Sequence, residues 1–157
     1  MGAEVSVRGL VAAPADLVWT IVSDVTRTSS WSPDVVGCRW LDGASGPALG
    51  ARFAGSSARG PLHRWSTTST VTSCEPGRTF GYHVRYAGLS VAHWSWTTTP
   101  HDGGCLVTHA WADRRHLVVR QGSSVVTGVR DRRAYNEAAM RRAVEAVKAL
   151  AEKQAQA

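Results

Sequence analysis

Three turn signals, Pro76-Gly77, Ala87-Gly88 and Asp102-Gly103, separate runs rich in Val, Thr, Trp, Tyr and Phe in the middle of the chain. Pro presets φ for the first central position of a turn and Gly accepts the positive φ of the second, so such pairs join neighbouring antiparallel strands. With Pro76-Gly77 at the centre of a tight turn, Val71 faces Tyr82 and Ser73 faces Phe80 across the first hairpin. Across the second, Tyr82 faces Trp94 and Phe80 faces Trp96; across the third, Trp94 faces Trp111 and Trp96 faces His109. Strand side chains alternate between faces, so the rows Val71, Tyr82, Trp94, Trp111 and Ser73, Phe80, Trp96, His109 share one side. The other side carries Thr72, Gly81, His83, His93, Ser95, Thr97, Thr108 and Ala110. A sheet that is aromatic on one face and small and polar on the other needs a second layer over the aromatic face.

The flanking sequence supplies that layer. Residues 4–12 alternate as a first strand, and Pro14 opens PADLVWTIVSDV, whose apolar residues recur at helical spacing. RTSSWSP (27–33) predicts a short helical or looped bend that Pro33 stops. Between Asp34 and Asp113, turn signals at LDGASGPALG, SARGP, CEPGR, YAGLS and HDGG mark about six further strands. After Gly122-Ser123-Ser124, some thirty residues rich in Ala, Arg, Glu and Lys place Val129, Asn136, Met140, Ala143, Val147 and Leu150 on one face. That spacing predicts one long amphipathic helix, large enough to cover the aromatic face. No repeat or linker divides the chain, and a 43% hydrophobic content suffices for one core, so residues 1–157 read as a single domain.

A net charge of +6 raises the question of a nucleic-acid partner. The basic residues are mostly Arg and scattered, and the dense group Arg130, Arg132, Arg133, Arg141 and Arg142 is interleaved with Asp131, Glu137 and Glu145, the pattern of a solvated helix face. No nucleic-acid partner is expected. Cys38, Cys74 and Cys105 are odd in number and far apart, which suits small buried thiols better than disulfides or a metal motif. His83 and His93 are cross-strand neighbours on the outer face, but two ligands without a third make no metal site. LDGASGPALG lacks the Lys-Ser/Thr pair of a phosphate loop, and no Gly-x-Ser-x-Gly elbow occurs, so neither a cofactor nor covalent catalysis is expected. The first residues lack a signal-peptide pattern and no apolar run reaches membrane-spanning length, which predicts a cytoplasmic chain without a membrane partner, monomeric or homodimeric.

The order of elements, together with APADLVWTIVSDV, WSPDVVGCRWLDG, GASGPALGARF, RWSTTSTVTSCEPGRTFGY and HWSWTTTPHDGGCLVTHAW, resembles the START-like helix-grip fold of the SRPBCC superfamily over nearly the whole chain. The resemblance implies an α+β helix-grip fold: a seven-stranded curved antiparallel sheet with two short helices and one long C-terminal helix enclosing a cavity. In function the chain is most similar to the bacterial polyketide cyclase/dehydrase branch, whose members bind a polyketide in the cavity and promote aldol cyclisation or dehydration. Aromatase/cyclases of that kind carry an Arg shortly after a Trp-Thr/Ser pair; here Trp65-Ser66 is followed by Thr67, Thr68 and Ser69.

Within such a cavity the candidate wall is Trp65, Tyr82, Trp94, Trp96 and Trp111, more aromatic surface than a small core ordinarily needs, and Thr67, Ser69 and Ser73 add hydroxyls that a dry core would have to satisfy. The expected partner is a hydrophobic or aromatic small molecule. His109, the titratable side chain on the aromatic face, is either a general acid or base or a hydrogen-bonded structural histidine. Asn136 on the inward stripe of the helix is the candidate for polarising a carbonyl, Arg132 or Arg133 flank it, and Met140 lies above the pocket. In this fold Trp31 and Asp34 fall near the entrance, Trp31 as a lid and Asp34 as a ligand contact or a turn cap.

Overall fold

The structure is a computed structural model and describes residues 4–157; the readings that include residues 1–3 lie in part outside the described residues. β1 (Glu4–Val11) leads into α1 (Ala15–Ser23) and a 3₁₀ segment (Val25–Ser30). Six strands follow: β2 (Val35–Trp40), β3 (Arg52–Arg59), β4 (His63–Glu75), β5 (Thr79–Tyr86), β6 (Leu89–His101) and β7 (Gly104–Asp113). Two helices close the chain, α2 (Leu117–Thr127) and α3 (Arg132–Ala155). The strands form one antiparallel sheet in the order β1-β7-β6-β5-β4-β3-β2, the helix-grip arrangement.

The third hairpin has the expected register, with Trp94 opposite Trp111 and Trp96 opposite His109. The other two reach the aromatic row through bulges. Ala87 and Gly88, both at positive φ, form a two-residue turn that pairs Tyr86 with Leu89. Continued regularly, that turn would set Tyr82 opposite His93; an extra residue at Val91 shifts the ladder by one and brings Trp94 opposite Tyr82. At the β4–β5 corner the loop is three residues long and pairs Glu75 with Thr79. The extra residue Thr72 restores the match of Val71 to Tyr82, but it turns Ser73 outward against Gly81 and leaves Cys74 opposite Phe80. Ser73 is therefore not on the aromatic face, because a bulge reverses side-chain alternation for the residues between it and the turn.

The C-terminal segment is two helices. Gly128, at φ 71°, ends α2 in the left-handed conformation that Gly adopts without steric cost, and the Asp131 carboxylate caps α3 by accepting from the Ala134 N–H at 3.0 Å. Val129 and Arg130 thus lie in the connection, not on the long helix, although Val129 is still buried.

α3 covers one end of the sheet. Met140, Ala143, Val144, Val147 and Ala151 pack on Val5, Val7 and Val11 of β1 together with Val18, Ile21 and Val22 of α1. The Trp19 indole N–H donates to the Thr79 carbonyl at 2.7 Å and holds α1 against β5. A second cluster, Val25, Phe53, Val71 and Phe80, fills the opposite end. The stretch of concave sheet between the two is left unfilled. Two of the cysteines, Cys38 and Cys74, are only half-buried; Cys105 is buried, and all three are free.

The β6–β7 turn approaches β1 so closely that a Cβ on Gly104 would lie 1.9 Å from the Val11 carbonyl oxygen. Backbone cannot yield as a flexible side chain would, so Gly104→Ala is expected to cost about 3 kcal/mol and lower the melting temperature by roughly 6–12 °C. Gly46→Ala, where nothing lies within 4 Å of the added atom, should stay within about 0.5 kcal/mol of the parent in the same thermal unfolding experiment.

Candidate functional site

Because α3 leans on β1, the concave face of β3 to β7 encloses a cavity of about 460 Å³, within the range of small-molecule sites. Its sheet wall is Tyr82, Trp94 and Trp111, continued by Trp65, Phe53, Thr67 and Ser69. Trp31, Pro33 and Asp34 close one side, α2 contributes Val118, Val119 and Val126, and the first turns of α3 contribute Arg132, Asn136 and Ala139. The lining is thus apolar over most of its area, with a few polar groups set into it.

His109 is the most buried of the titratable groups on the wall, 3% exposed. Its ring stacks on Trp96 at 3.7 Å between centroids and 9° between planes, and on Trp94 at 5.3 Å. Nδ1 lies 3.0 Å from the Ser95 carbonyl oxygen. A carbonyl only accepts, so Nδ1 carries the proton and Nε2 keeps its lone pair. Burial pushes the imidazole down to about 4, since no carboxylate stands by to stabilise the cation; the bond to Ser95 opposes the shift without reversing it. Near neutral pH His109 is an uncharged acceptor.

Three expected wall residues are elsewhere. Trp96 is buried behind His109 and Trp31, whose ring meets it edge-on at 5.2 Å, and it does not reach the cavity. Met140 is spent in the α3–β1 core. Arg133 is exposed to solvent, and Arg132 lines the cavity in its place. The indole N–H groups of Trp31 and Trp96 are buried without a partner among the described residues. Asn136, 6% exposed, lines the cavity and its carboxamide has no hydrogen bond to any described residue. Tyr82 keeps part of its ring open to the cavity yet lies deep in the protein, so burial, and secondarily the Cys38 thiol, pushes its phenol well above the usual range.

Charged groups cluster around Asp34, Arg115 and Arg132 of the lining. Asp34 does not cap the 27–33 bend; both its oxygens accept from the Tyr135 hydroxyl, at 2.7 and 2.6 Å. Arg59 sits over the Tyr135 ring at 5.3 Å and donates to the Gly128 carbonyl. Asp113 at the end of β7 receives Arg115 through two bonds of 2.9 and 2.7 Å, and Arg115 also donates to Ser123, which ties α2 to the sheet. Burial raises the Asp113 carboxyl, but Arg115 outweighs it and holds the group below its usual range. Arg115, Tyr135 and the α2 valines are absent from the sequence reading. The spacing Val118, Val119, Gly122 and Val126 carries a helical signal that was available there.

On the outer face His83 and His93 do pair, but each is bonded to a neighbouring hydroxyl, Ser90 and Thr72 respectively. No group of three or more His, Cys, Asp or Glu among the described residues could hold a metal ion. No helix among them is long and apolar enough to cross a membrane.

A curved seven-stranded sheet gripping a long helix, with an aromatic cavity between them, defines a protein of the START-like helix-grip class. The chain belongs to the polyketide cyclase / dehydrase and lipid transport family, whose model matches residues 2–152. Among solved structures it is similar to the di-domain ARO/CYC StfQ from the steffimycin biosynthetic pathway, with a TM-score of 0.75 at 18% identity over 98% of this chain and 52% of that one. It is similar also to the di-domain ARO/CYC BexL from the BE-7585A pathway, with a TM-score of 0.70 at 14% identity over 99% and 50% of the two chains. The Polyketide_cyc-like protein Cgl2372 from Corynebacterium glutamicum matches at 28% identity and a TM-score of 0.55 over 97% and 86%. The chain therefore spans about half the length of the two di-domain proteins. No curated protein sequence matches it.

The state of His109 has a consequence for stability. Its folded pKa is lowered to about 4 from an ordinary 6.5, so the unfolded chain takes up this proton first as pH falls. The linked penalty is absent above pH 6.5, grows as pH drops through the window and levels off below 4, reaching about 3 kcal/mol. Urea unfolding at pH 7 and pH 4.5 should show a drop for the parent that exceeds the drop for His109→Phe, which keeps a ring against Trp96 and cannot titrate. Equal drops would place the His109 pKa near 6.5 in the folded protein.

Proposed function

We propose that the protein binds a polyketide-derived or other aromatic small molecule in this cavity and promotes its cyclisation or dehydration without a cofactor, as a catalyst of natural-product assembly. The observation that carries the reading is His109: Nδ1–H is committed to Ser95, which leaves Nε2 unprotonated on a ring that lines a mostly apolar pocket. A poly-oxo chain folded against Tyr82, Trp94 and Trp111 would bring an acidic carbon near that lone pair. Nε2 takes the α-proton, the enolate carbon attacks a second carbonyl to form the ring bond, and the resulting alkoxide recovers the proton from the imidazolium. Loss of water follows when the next α-proton is removed and the hydroxyl leaves protonated. The Asn136 carboxamide, which has no partner among the described residues, can donate to the enolate oxygen, a contact worth most while charge develops there. The low basicity of His109 is offset in the transition state, because the enolate supplies the counter-charge that burial withholds.

Carriage of an apolar ligand without reaction is a second reading. It is favoured by that same low basicity and by Thr67, Thr68 and Ser69 standing where related aromatase/cyclases carry an Arg.

Incubation with a synthetic poly-β-carbonyl thioester, followed by mass spectrometry, separates the two readings. In the catalytic case, His109→Phe should lower turnover by about 100-fold or more while quenching of Trp fluorescence by the substrate changes less than about threefold. Unchanged turnover in the variant removes His109 from the mechanism. Ligand retained by the parent with no product formed supports carriage.

A further inference from the structure

Two guanidiniums, Arg115 and Arg132, line the cavity, Arg59 and Arg120 stand close behind them, and the carboxylates that answer them are Asp34 and Asp113. Asp113 is committed to Arg115, and Arg120 approaches it at 3.4 Å. Asp34 has both oxygens on the Tyr135 hydroxyl. Arg132 is left over. It lines the cavity, its Nη2 donates to the Thr127 hydroxyl, its guanidinium lies 5.9 Å from the centre of the Tyr135 ring, and it makes no salt bridge among the described residues.

A half-buried cation without an ion pair is costly, and proteins ordinarily pair or hydrate such groups. Burial and the neighbouring Arg115 both press Arg132 toward losing its proton, against the weaker pull of Tyr135, Asp34 and Asp113. One turn further along α3, Asn136, 6% exposed, presents to the same cavity a carboxamide with no partner among the described residues. Positions i and i+4 lie on one face of a helix, so a single ligand group can meet both.

From these contacts we infer that Arg132 and Asn136 form a subsite for an anionic oxygen group, so that the ligand is an aromatic or poly-oxo acid whose rings lie against Tyr82, Trp94 and Trp111. The inference rests on the cavity being the ligand site and adds the charge of the ligand to that reading. Asp34 does not oppose such an anion strongly, because the Tyr135 O–H bridges its oxygens and Arg59 stands over the ring. A planar guanidinium with free donors suits a carboxylate or sulfonate better than a neutral carbonyl.

Two fluorescent probes test this, 8-anilinonaphthalene-1-sulfonate and N-phenyl-1-naphthylamine, which share a ring system and differ by the sulfonate. Arg132→Gln should weaken the sulfonate probe by about tenfold and the neutral probe by less than about twofold. Arg132→Lys, which keeps the charge, should recover most of the loss. Arg133→Gln removes the same net charge from an exposed neighbour and should alter neither probe. Equal weakening of the sulfonate probe by Arg132→Gln and Arg133→Gln would reduce the effect to the general field of a basic protein and overturn the subsite. Parallel loss of both probes in Arg132→Gln would overturn it too, by making Arg132 a structural residue, while leaving the cavity reading intact. If neither probe bound the parent protein, the cavity reading would fall and the subsite with it.

Discussion

The pairing of β6 with β7 is the constraint on which the rest of the molecule depends. It sets Trp94 opposite Trp111 and Trp96 opposite His109 on one concave face, and because side chains alternate with a period of two, a slip of β7 by one residue would send Trp111 and His109 to the opposite side. The same pairing fixes the chemistry of His109. Its ring is held between Trp94 and Trp96, and its Nδ1–H is satisfied by a carbonyl of the neighbouring strand. Stacking of this kind adds roughly 0.5–1.5 kcal/mol per pair beyond the area it buries. Its larger effect here is orientational, since the ring cannot turn without losing both the stack and the hydrogen bond.

The cavity exists because the second layer is incomplete. α3 spends Met140, Val144 and Val147 on β1 and α1, and a single helix cannot also reach β4 and β5 across a curved sheet. α2 bridges the remaining gap with its valines, anchored through the buried Asp113–Arg115 pair. That anchor is polar, while Leu117, Val118 and Val125 of the same helix are largely exposed. α2 is therefore held less by burial than any other element over the cavity, and low burial is where local opening concentrates.

The sheet was legible in the sequence because its information is local. Turn residues and two-residue periodicity gave seven strands and the aromatic rows, and the Asp102-Gly103 hairpin has no irregularity to mislead. The bulges at Thr72 and Val91 carry no comparable sequence mark, so Ser73 was assigned to the wrong face while Tyr82, beyond the Thr72 bulge, was assigned correctly. The helical region was less legible. Helical spacing of the α2 valines and the local marks of the break, Gly128 and the Asp131 cap, are present in the sequence, but the apolar stripe from Val129 to Leu150 reads across them as one helix. The site was legible only to the level of which face a residue occupies. Periodicity placed Trp96 and Met140 inward beside His109 and Asn136, but whether an inward position meets a packed neighbour or open space depends on contacts distant in sequence. That is why Trp31 covers Trp96 and why Arg132, not Arg133, reaches the cavity.

The central claim is that His109 is a neutral imidazole with its proton on Nδ1 and its free lone pair on Nε2 at the wall of the cavity. Long-range ¹H–¹⁵N correlation spectra of the histidine side chains, followed from pH 7.5 to the lowest pH at which the fold persists, measure this directly. The expected result is a His109 ring protonated at Nδ1 alone at neutral pH, with a midpoint near 4 or no titration before unfolding. A ring protonated at Nε2, or one titrating near the ordinary 6.5, would contradict the account.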